Sequence, residues 1–599
     1  MRSSIRPLTT RGAVLACVTL ALLFSSAGAR GQTTPADSTR ILKESHKFQE
    51  EFERYRESRI PPMAQPDGQV CDERIGTICI WFGGDENERF PAEFREVGQA
   101  RVEFIRSLFD GFEEIKDRWI LGQLVHYLVE SRNIGEAERV ANECGITETW
   151  WCSALLGYVL HIKTEYVPAE AAFRESLAAM SDAQYEAWTT PRFIFTPDAR
   201  DEFERAAPAE RERKWELFWR LSDPLFLFEG NDRLTDHFAR LVVAENRRDA
   251  ADPMGGEWDE FQEETLVRYG RNIGYSRVHN PGRTMSLGGG LQDTRRMVSH
   301  HHPKSRGYLF PETYLESPSD IPPESWITAP REARTWYAPP YAPEIRALET
   351  QVGRFRRDGM MLVVGAYRPT IADPTAFGGV SSAWREGGGI AGPANTALFL
   401  IPEDGGESVY VQGTEPEGVL TIETLPGHYV SGLEVVDLQG RQAWRARQGV
   451  IQRPLTAGLV DVSDLLILRE GATLPESLDE AIPDVRPGVR LRPGERFAVV
   501  WEAYGLGILE PIQVTIGFNQ GRPGFLSRIG EFLGVIAPDR PVDVTFDDVG
   551  PDRVQAAFRS VMLELPDLEP GDYTLHLQLD LFGRTPIVTS RPIIVEGSQ

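Results

Sequence analysis

The chain has 599 residues, of which 41% are hydrophobic and 26% charged, and its formal net charge is −25. At about 100 to 200 residues per domain, this length predicts about three or four domains, each able to bury its own core. The excess of acidic side chains argues against nucleic acid as a partner, because the phosphate backbone carries the same sign of charge.

The first 29 residues have the pattern of a secretory signal peptide. Three arginines precede an apolar run over 12–24, and small residues occupy 27–29. We therefore expect export to the periplasm, the cell envelope or the extracellular space, and losing the three arginines changes the net charge from −25 to −28. A lipoprotein signal is the alternative, because Cys17 lies within the apolar run. No later run is long and apolar enough for a transmembrane helix, so we expect no membrane insertion.

Four cysteines remain after residue 29, as two pairs with equal spacing: Cys71 with Cys79, and Cys144 with Cys152. In an oxidising compartment this spacing predicts two local disulfides, each stabilising the fold by about 2 to 3 kcal/mol. Four cysteines allow three connectivities, and a zinc site is the alternative use of the same side chains.

The region from 96 to 185 has a helical period that resembles tetratricopeptide repeats. Its second half carries the pattern residues Leu156, Gly157, Tyr166, Ala169, Phe173 and Ser176. Stacked helix pairs form a concave groove, and we predict that Tyr158, His161 and Lys163 line it and bind a partner protein of the cell envelope.

The next block, 186–280, is helical and rich in aromatic residues. Phe218 and Trp219, the helix start at 231–234 and the segment 268–270 before Gly274 resemble the exported bacterial family named after a Gly-Trp-x-Thr-Asp motif. At the place of that motif this chain has Gly-Tyr-Ser-Arg, and the likeness covers about 210–277. The resemblance implies a cell-envelope context and no catalytic activity.

Prolines and aromatic residues are mixed over 311–343, which predicts an extended linker, placed at 281–355. We expect Trp326 and Trp336 to pin the linker onto a neighbouring domain, with stacking on sugar rings as the alternative. The run from His300 to His302 is interpreted as a solvated loop. Its alternative is a metal site, since imidazole is a common ligand of transition metals.

The C-terminal half contains a repeated pattern that indicates two copies of one β unit. Residues 426–429 and 437–441 recur as 570–573 and 580–584. In the second copy, apolar residues alternate with polar ones from Tyr573 onward, as in a strand with one buried face. A Tyr just after a Pro-Gly corner resembles the tyrosine corner of immunoglobulin-like sandwiches, which implies that fold.

The predicted fold class is therefore a multidomain α + β chain, with an N-terminal all-α helical repeat and two C-terminal antiparallel immunoglobulin-like β-sandwiches. The predicted parts are a signal peptide (1–29), a linker with a charged helix and disulfide loop (30–95), tetratricopeptide-like repeats (96–185), the helical block (186–280), the linker (281–355), β-sandwich 1 (356–474) and β-sandwich 2 (485–599).

The sequence favours a non-catalytic scaffolding protein of the envelope that acts through protein–protein interaction. We find no local motif for a catalytic, cofactor-binding or metal-binding residue, and we expect no cofactor. The alternative is an envelope hydrolase that acts on glycans or peptides, with a metal site near His300–His302.

Overall fold

The computed structural model describes residues 34–64, 73–76, 78–80, 91–253, 258–279, 295–301, 317–321, 323–326, 334–342, 344–369, 394–456, 458–521 and 542–597. The predicted signal peptide, Cys71 and His302 lie outside these residues. The described residues form a helical N-terminal part followed by a β-rich C-terminal part, which confirms the predicted α and β multidomain organisation.

The N-terminal part consists of helices and a few short strands. In chain order its elements are α1 (Pro35–Glu57), β1 (Pro62–Ala64), β2 (Glu73–Ile75), β3 (Ile78–Ile80), α2 (Arg95–Glu114), α3 (Arg118–Glu130), α4 (Ile134–Glu143), α5 (Thr149–Ile162), α6 (Tyr166–Ala179), α7 (Asp182–Thr189), α8 (Pro197–Arg205), α9 (Pro208–Ser222), α10 (Asp232–Arg247), α11 (Glu260–Tyr269), β4 (Asn272–His279) and β5 (Arg295–His301). The chain itself fixes several helix starts: the Asn231 side chain caps α10 by accepting from the Leu234 N–H, and Pro208 opens α9.

Helices α5 and α6 pack closely at the residues that the repeat pattern singles out. A side chain at Gly157 would lie 2.9 Å from the Phe173 ring, so only glycine allows the two helices to approach this far. Ala169 is buried in the same contact, and the Ser176 hydroxyl donates to the Trp150 carbonyl at 2.7 Å. The small residues of the pattern therefore set the helix–helix distance.

Cys144 and Cys152 form a disulfide with a Cα–Cα distance of 5.8 Å. The bond joins the C-cap residue of α4 to the first turn of α5. The backbone at Cys144 and Gly145 has positive φ, which turns the chain between the two helices. The predicted pairing of these two cysteines is thus present. The other predicted pair includes Cys71, which lies outside the described residues.

The C-terminal part consists mainly of strands. They are β6 (Glu344–Arg357), β7 (Met360–Pro369), β8 (Asn395–Pro402), β9 (Val409–Gly413), β10 (Gly418–Thr424), β11 (His428–Asp437), β12 (Gln442–Ile451), β13 (Asp461–Val462), β14 (Leu466–Ile467), the short helix α12 (Leu478–Ala481), β15 (Arg490–Leu491), β16 (Arg496–Tyr504), β17 (Pro511–Gln520), β18 (Val542–Val549), β19 (Ala557–Glu564), β20 (Gly571–Leu581) and β21 (Ile587–Val595). The first strand, β6, starts within the segment that the sequence assigns to the linker.

The first β unit (344–451) has the strand order β10-β7-β6-β12-β11-β8-β9. Strand β6 joins the two halves of this order, because residues 344–347 pair in parallel with β12 while the rest of β6 pairs with β7. The halves fold over a shared core, in which Leu398 and Leu433 approach Gly365 of β7. The unit therefore has two layers with apolar side chains between them.

The second β unit (461–595) repeats this arrangement. Strand β16 pairs with β13, β14 and β19, and the other sheet has the order β15-β21-β20-β17-β18. Strand β15 pairs in parallel with β21, as β6 does with β12. Phe497, Val499 and Trp501 of β16 face the core, as do alternate residues of β20 from Tyr573 onward, which confirms the predicted period of two. The sequence repeat corresponds to β11 and β20 and the hairpin after each.

The two linker tryptophans are buried. Trp326 packs with Leu217 and Val430, and Trp336 packs with Tyr269. Their side chains hold the linker against the neighbouring elements, as the pinning prediction requires. Because both indole rings are buried, they offer no open face on which a sugar ring could stack. Among the described residues, no helix is both long enough and apolar enough to span a membrane.

Candidate functional site

The three residues that the sequence assigns to a partner-binding groove lie mostly inside the fold. Tyr158 is 2% exposed and His161 is 7% exposed. His161 contacts the Thr235 hydroxyl at 2.9 Å and the Asp236 carboxylate at 3.5 Å, both on α10. Helix α10 thus covers the face of α5 that the sequence leaves open. Lys163 is half-buried and forms an ion pair with Glu138 at 2.9 Å.

Helix α10 carries a buried network of charged side chains that ties the helical part together. Burial opposes the ionisation of Asp236, but Arg240 and His161 outweigh it and lower the pKa of this carboxyl. Arg240 also donates to the Val267 carbonyl at 2.8 Å and to the Trp336 carbonyl at 2.6 Å. One guanidinium therefore holds α11 and the linker against α10.

A small cavity of about 110 Å³ lies where the sequence resembles the Gly-Trp-x-Thr-Asp motif, next to Tyr275. Arg56 donates to Glu130 at 2.7 Å, and Arg101 contacts the same carboxylate at 3.0 Å. Burial opposes the charge on Glu130, but the two guanidinium groups outweigh it and lower its pKa to about 2. Arg56 and Arg101 of this cavity are thus paired with acids of the chain itself, which indicates a structural role.

A cleft of about 780 Å³ lies between the helical part and the first β unit. Seven of its nineteen lining residues are aromatic, and the lining comes from α6, α9, α10, β8, β9 and the loops between them: Glu170, Phe173, Arg174, Leu177, Trp215, Glu216, Trp219, Arg220, Asp223, Phe226, Gly230, Asn231, Leu234, Thr235, Phe238, Phe399, Glu407, Ser408 and Tyr410. A concave, aromatic-lined site of this size at a boundary between domains is typical of ligand-binding sites.

Each wall of the cleft positions its aromatic rings through its own secondary structure. On α9, Trp215 and Trp219 are one helical turn apart and their ring centroids are 5.4 Å apart. On the β side, Phe399 of β8 is the cross-strand partner of Tyr410 of β9, and their rings are 5.4 Å apart. Tyr410 is 58% exposed, so one ring of the cleft is open to solvent.

A buried carboxylate of the first β unit anchors the loop that follows α9. Glu434 of β11 is 0% exposed, and its two oxygens accept from the backbone N–H groups of Phe226 at 3.1 Å and Leu227 at 3.0 Å. Burial raises the pKa of Glu434, while Arg447 and the two amides act against this shift. The carboxylate supplies acceptors to amides that the helical part does not pair itself.

Two buried arginines of the neighbouring strand β12 complete this contact. Arg447 donates to the carbonyl of Leu221, at the C-terminus of α9, and to the carbonyl of Asp223 at 2.6 Å. Arg445 donates to the Pro224 carbonyl at 3.0 Å. Cations at a helix C-terminus satisfy carbonyls that have no partner within the helix. We call Glu434, Arg445 and Arg447 the clamp.

A second connection crosses the cleft at its β hairpin. Arg220 of α9 donates to the Gly406 carbonyl at 2.6 Å and to the Ser408 hydroxyl at 2.8 Å. Burial lowers the pKa of Arg220. The clamp and Arg220 together hold both walls of the cleft in place before any ligand arrives, which lowers the entropic cost of binding.

The other predicted site, the histidine run, is only partly described. His300 and His301 belong to β5, where they pair with Gly274 and Asn272 of β4. His302 lies outside the described residues. Among the described residues, no group of three or more potential ligand side chains is arranged to hold a metal ion.

The cleft is the feature that reasoning from the sequence missed. The spacing of Trp215, Phe218 and Trp219 was visible, but it indicates helix packing as readily as a binding wall. The opposing wall, with Phe399 and Tyr410, is more than 150 residues away along the chain, and no local pattern connects the two.

Comparison with known proteins leaves the family open. No protein-family model and no curated protein matches the chain. Among solved structures, the sporulation control protein Spo0M from Bacillus subtilis has a TM-score of 0.15 and 14% identity, covering 24% of this chain and 51% of its own. The FN1–FN3 domains of chicken CNTN1 have a TM-score of 0.14 and 12% identity, covering 44% of this chain and 69% of their own. Red sea bream transglutaminase has a TM-score of 0.14 and 10% identity, covering 42% and 32%. This chain therefore spans about half the length of the first of these structures, and TM-scores of this size do not establish a common fold.

Proposed function

We propose that this chain is a non-catalytic interaction protein, exported to the cell envelope, that holds a partner protein in the cleft between its helical part and its first β unit. The observation that carries the proposal is the cleft itself: about 780 Å³, with seven aromatic residues in its lining, and fixed by buried side chains of the first β unit that bond to the backbone of the helical part. Rigid aromatic residues are the side chains that contribute most to binding energy at protein interfaces.

Export is supported by the N-terminal pattern and by the disulfide between Cys144 and Cys152, because disulfides persist mainly in oxidising compartments. The proposal includes repeats of the tetratricopeptide type over α3–α6 and a relationship to the Gly-Trp-x-Thr-Asp family. The contact of Gly157 with Phe173 supports the first of these. For the second, the structural observation is that Tyr275, at the place of the motif, lines the same small cavity as Arg56.

We further propose that both β units are immunoglobulin-like sandwiches that space and present the binding region. Three features support this. The parallel pairing of β6 with β12 recurs between β15 and β21. The two units have the same strand order, and the Tyr429 hydroxyl donates to the Leu425 carbonyl at 3.0 Å. A tyrosine that bonds back to the backbone before its own strand is the defining contact of a tyrosine corner.

Site-specific photo-cross-linking in intact cells tests the proposal. A photoreactive residue in place of Tyr410 in the cleft should give one discrete adduct with an envelope protein, whereas the same residue in place of the exposed Thr421 of β10 should not. Equal labelling from both positions would contradict binding in the cleft. Hydrolysis of envelope glycans or peptides that disappears when His300–His302 are replaced would contradict the non-catalytic role.

A further inference from the structure

The mouth of the cleft combines aromatic rings with acidic side chains. Trp215 lies on the α9 wall and Tyr410 on the β9 wall. Glu216 follows Trp215, and Glu407 lies in the hairpin before Tyr410; both carboxylates are exposed and both line the cleft. An aromatic face attracts a cation, and a nearby carboxylate adds to that attraction.

The basic side chains of the same cleft already have partners within the chain. Arg220 donates to Gly406 and Ser408, and Arg174 lies 3.9 Å from Glu170. Within the described residues, neither Glu216 nor Glu407 forms an ion pair. The net charge of −25 for the whole chain acts in the same direction at longer range. The cleft therefore favours a positively charged group.

The β wall also offers a strand edge. Strand β9 is the outermost strand of its sheet, and the side chains of Val409 and Tyr410 at its start are exposed. An outermost strand has backbone N–H and C=O groups to which an extended peptide can add as a further strand. A small molecule would not use this edge, so the edge favours a peptide over a small cationic compound.

We propose that the cleft binds an extended peptide segment of its partner in which a lysine or arginine is flanked by apolar residues. The cationic side chain enters between Trp215 and Tyr410 and faces Glu216 and Glu407, and the apolar neighbours contact Trp219 and Phe399. This inference rests on the proposed function, because it gives the chemistry of the partner that the same cleft would hold.

Selection of random dodecapeptides displayed on phage against the full mature protein tests the inference. We expect enrichment of peptides with a lysine or arginine beside apolar residues. Their affinity, measured by fluorescence anisotropy with synthetic labelled copies, should fall on the order of tenfold in the double variant Glu216→Lys/Glu407→Lys. The charge-matched control Glu212→Lys/Glu423→Lys alters two exposed acids that do not line the cleft, and it should leave the affinity unchanged.

The possible results separate the two proposals. Two results would overturn the cationic inference and leave the cleft as the binding site. In the first, the selected peptides lose binding to Tyr410→Ala but contain no basic residue. In the second, they bind the double variant Glu216→Lys/Glu407→Lys as tightly as the native protein. Failure to recover any peptide that depends on Tyr410 would overturn the cleft itself. Thermal unfolding of each variant, monitored by circular dichroism, establishes that a lost affinity does not come from a lost fold.

Discussion

The first β unit meets each of its two neighbours through both polar and apolar contacts; toward the second β unit, for example, the buried Gln351 side chain donates to the Ile467 and Arg486 carbonyls. One contact on each side allows a comparison, the clamp and an apolar cluster. Toward the helices it presents the clamp, in which buried charged side chains bond to backbone groups. Toward the second β unit it presents Phe355 and Val364, which pack with Leu466, Leu468 and Val500. Apolar burial has little directional preference, whereas hydrogen bonds fix distance and angle. The clamp therefore fixes the geometry of the cleft, and the apolar cluster mainly contributes stability.

The strongest way to break this comparison is to remove one member of the clamp. Arg447→Ala removes the cation paired with the buried Glu434 and the guanidinium bonds to the Leu221 and Asp223 carbonyls. We expect a loss of about 3 to 5 kcal/mol in the free energy of unfolding, together with loss of peptide binding in the cleft. Urea denaturation measures the first effect. Arg453→Ala, at an exposed position, is the control, and equal losses in the two variants would show that the clamp is unimportant.

A cavity in the apolar cluster between the two β units should lower the free energy of unfolding by less and leave the cleft intact. Leu468→Ala removes a fully buried side chain between the two β units, and we expect a loss of about 2 to 3 kcal/mol with unchanged binding. The matched control is Leu459→Ala, because Leu459 is exposed. If Leu468→Ala abolished binding, the two interfaces would not be separable in the way described.

Buried polar groups in the helical part allow a test by pH. Glu53 accepts from the Tyr127 hydroxyl at 2.5 Å, and burial raises the pKa of its carboxyl to about 7, against the effect of Arg56. Since the folded state then holds a proton that the unfolded state releases, stability falls as the pH rises from about 4.5 to about 7.

Glu53→Gln removes this dependence. Between pH 5 and pH 8 the native protein should lose about 2 kcal/mol relative to the variant, at about 1.4 kcal/mol per pKa unit. Denaturation series at several pH values measure the difference. Glu51→Gln, which changes an exposed carboxylate on the same helix, should show no such trend. Parallel curves for native protein and Glu53→Gln would exclude a raised pKa at this site.

The smallest effect is expected where the two β units share an exposed ion pair. Arg469 lies 3.1 Å from Glu417, with both side chains more than a third exposed. Arg469→Gln should cost less than about 1 kcal/mol, and the cost should decrease with added salt. A larger, salt-independent loss would mean that this exposed pair contributes as a buried ion pair does.

Parts of this fold could be predicted because their sequence patterns report local burial. The alternation from Tyr573 onward reflects one face against a core, and Gly157 reflects a close helix contact. The same patterns do not tell what covers a polar face. Glu434 and Arg447 are polar positions in strands and would be expected at the surface, but the end of α9 and its loop lie over them.

The candidate site could not be predicted for a related reason. Tyr158 and His161 sit on a helix face that the repeat pattern leaves open, and α10 closes that face in the folded chain. The cleft arises only where α9 meets β8 and β9. Neither wall alone has a composition that distinguishes a binding surface from a packing surface.

The long sequence separation within the clamp also bears on the order in which parts of the chain fold. Phe226 and Glu434 are 208 residues apart in the chain, and Leu221 and Arg447 are 226 apart. Contacts of such long sequence separation form slowly, because the intervening chain must be ordered first. The helical part can therefore fold while its aromatic wall is still uncovered, and the cleft forms only after β11 and β12 have joined their sheet.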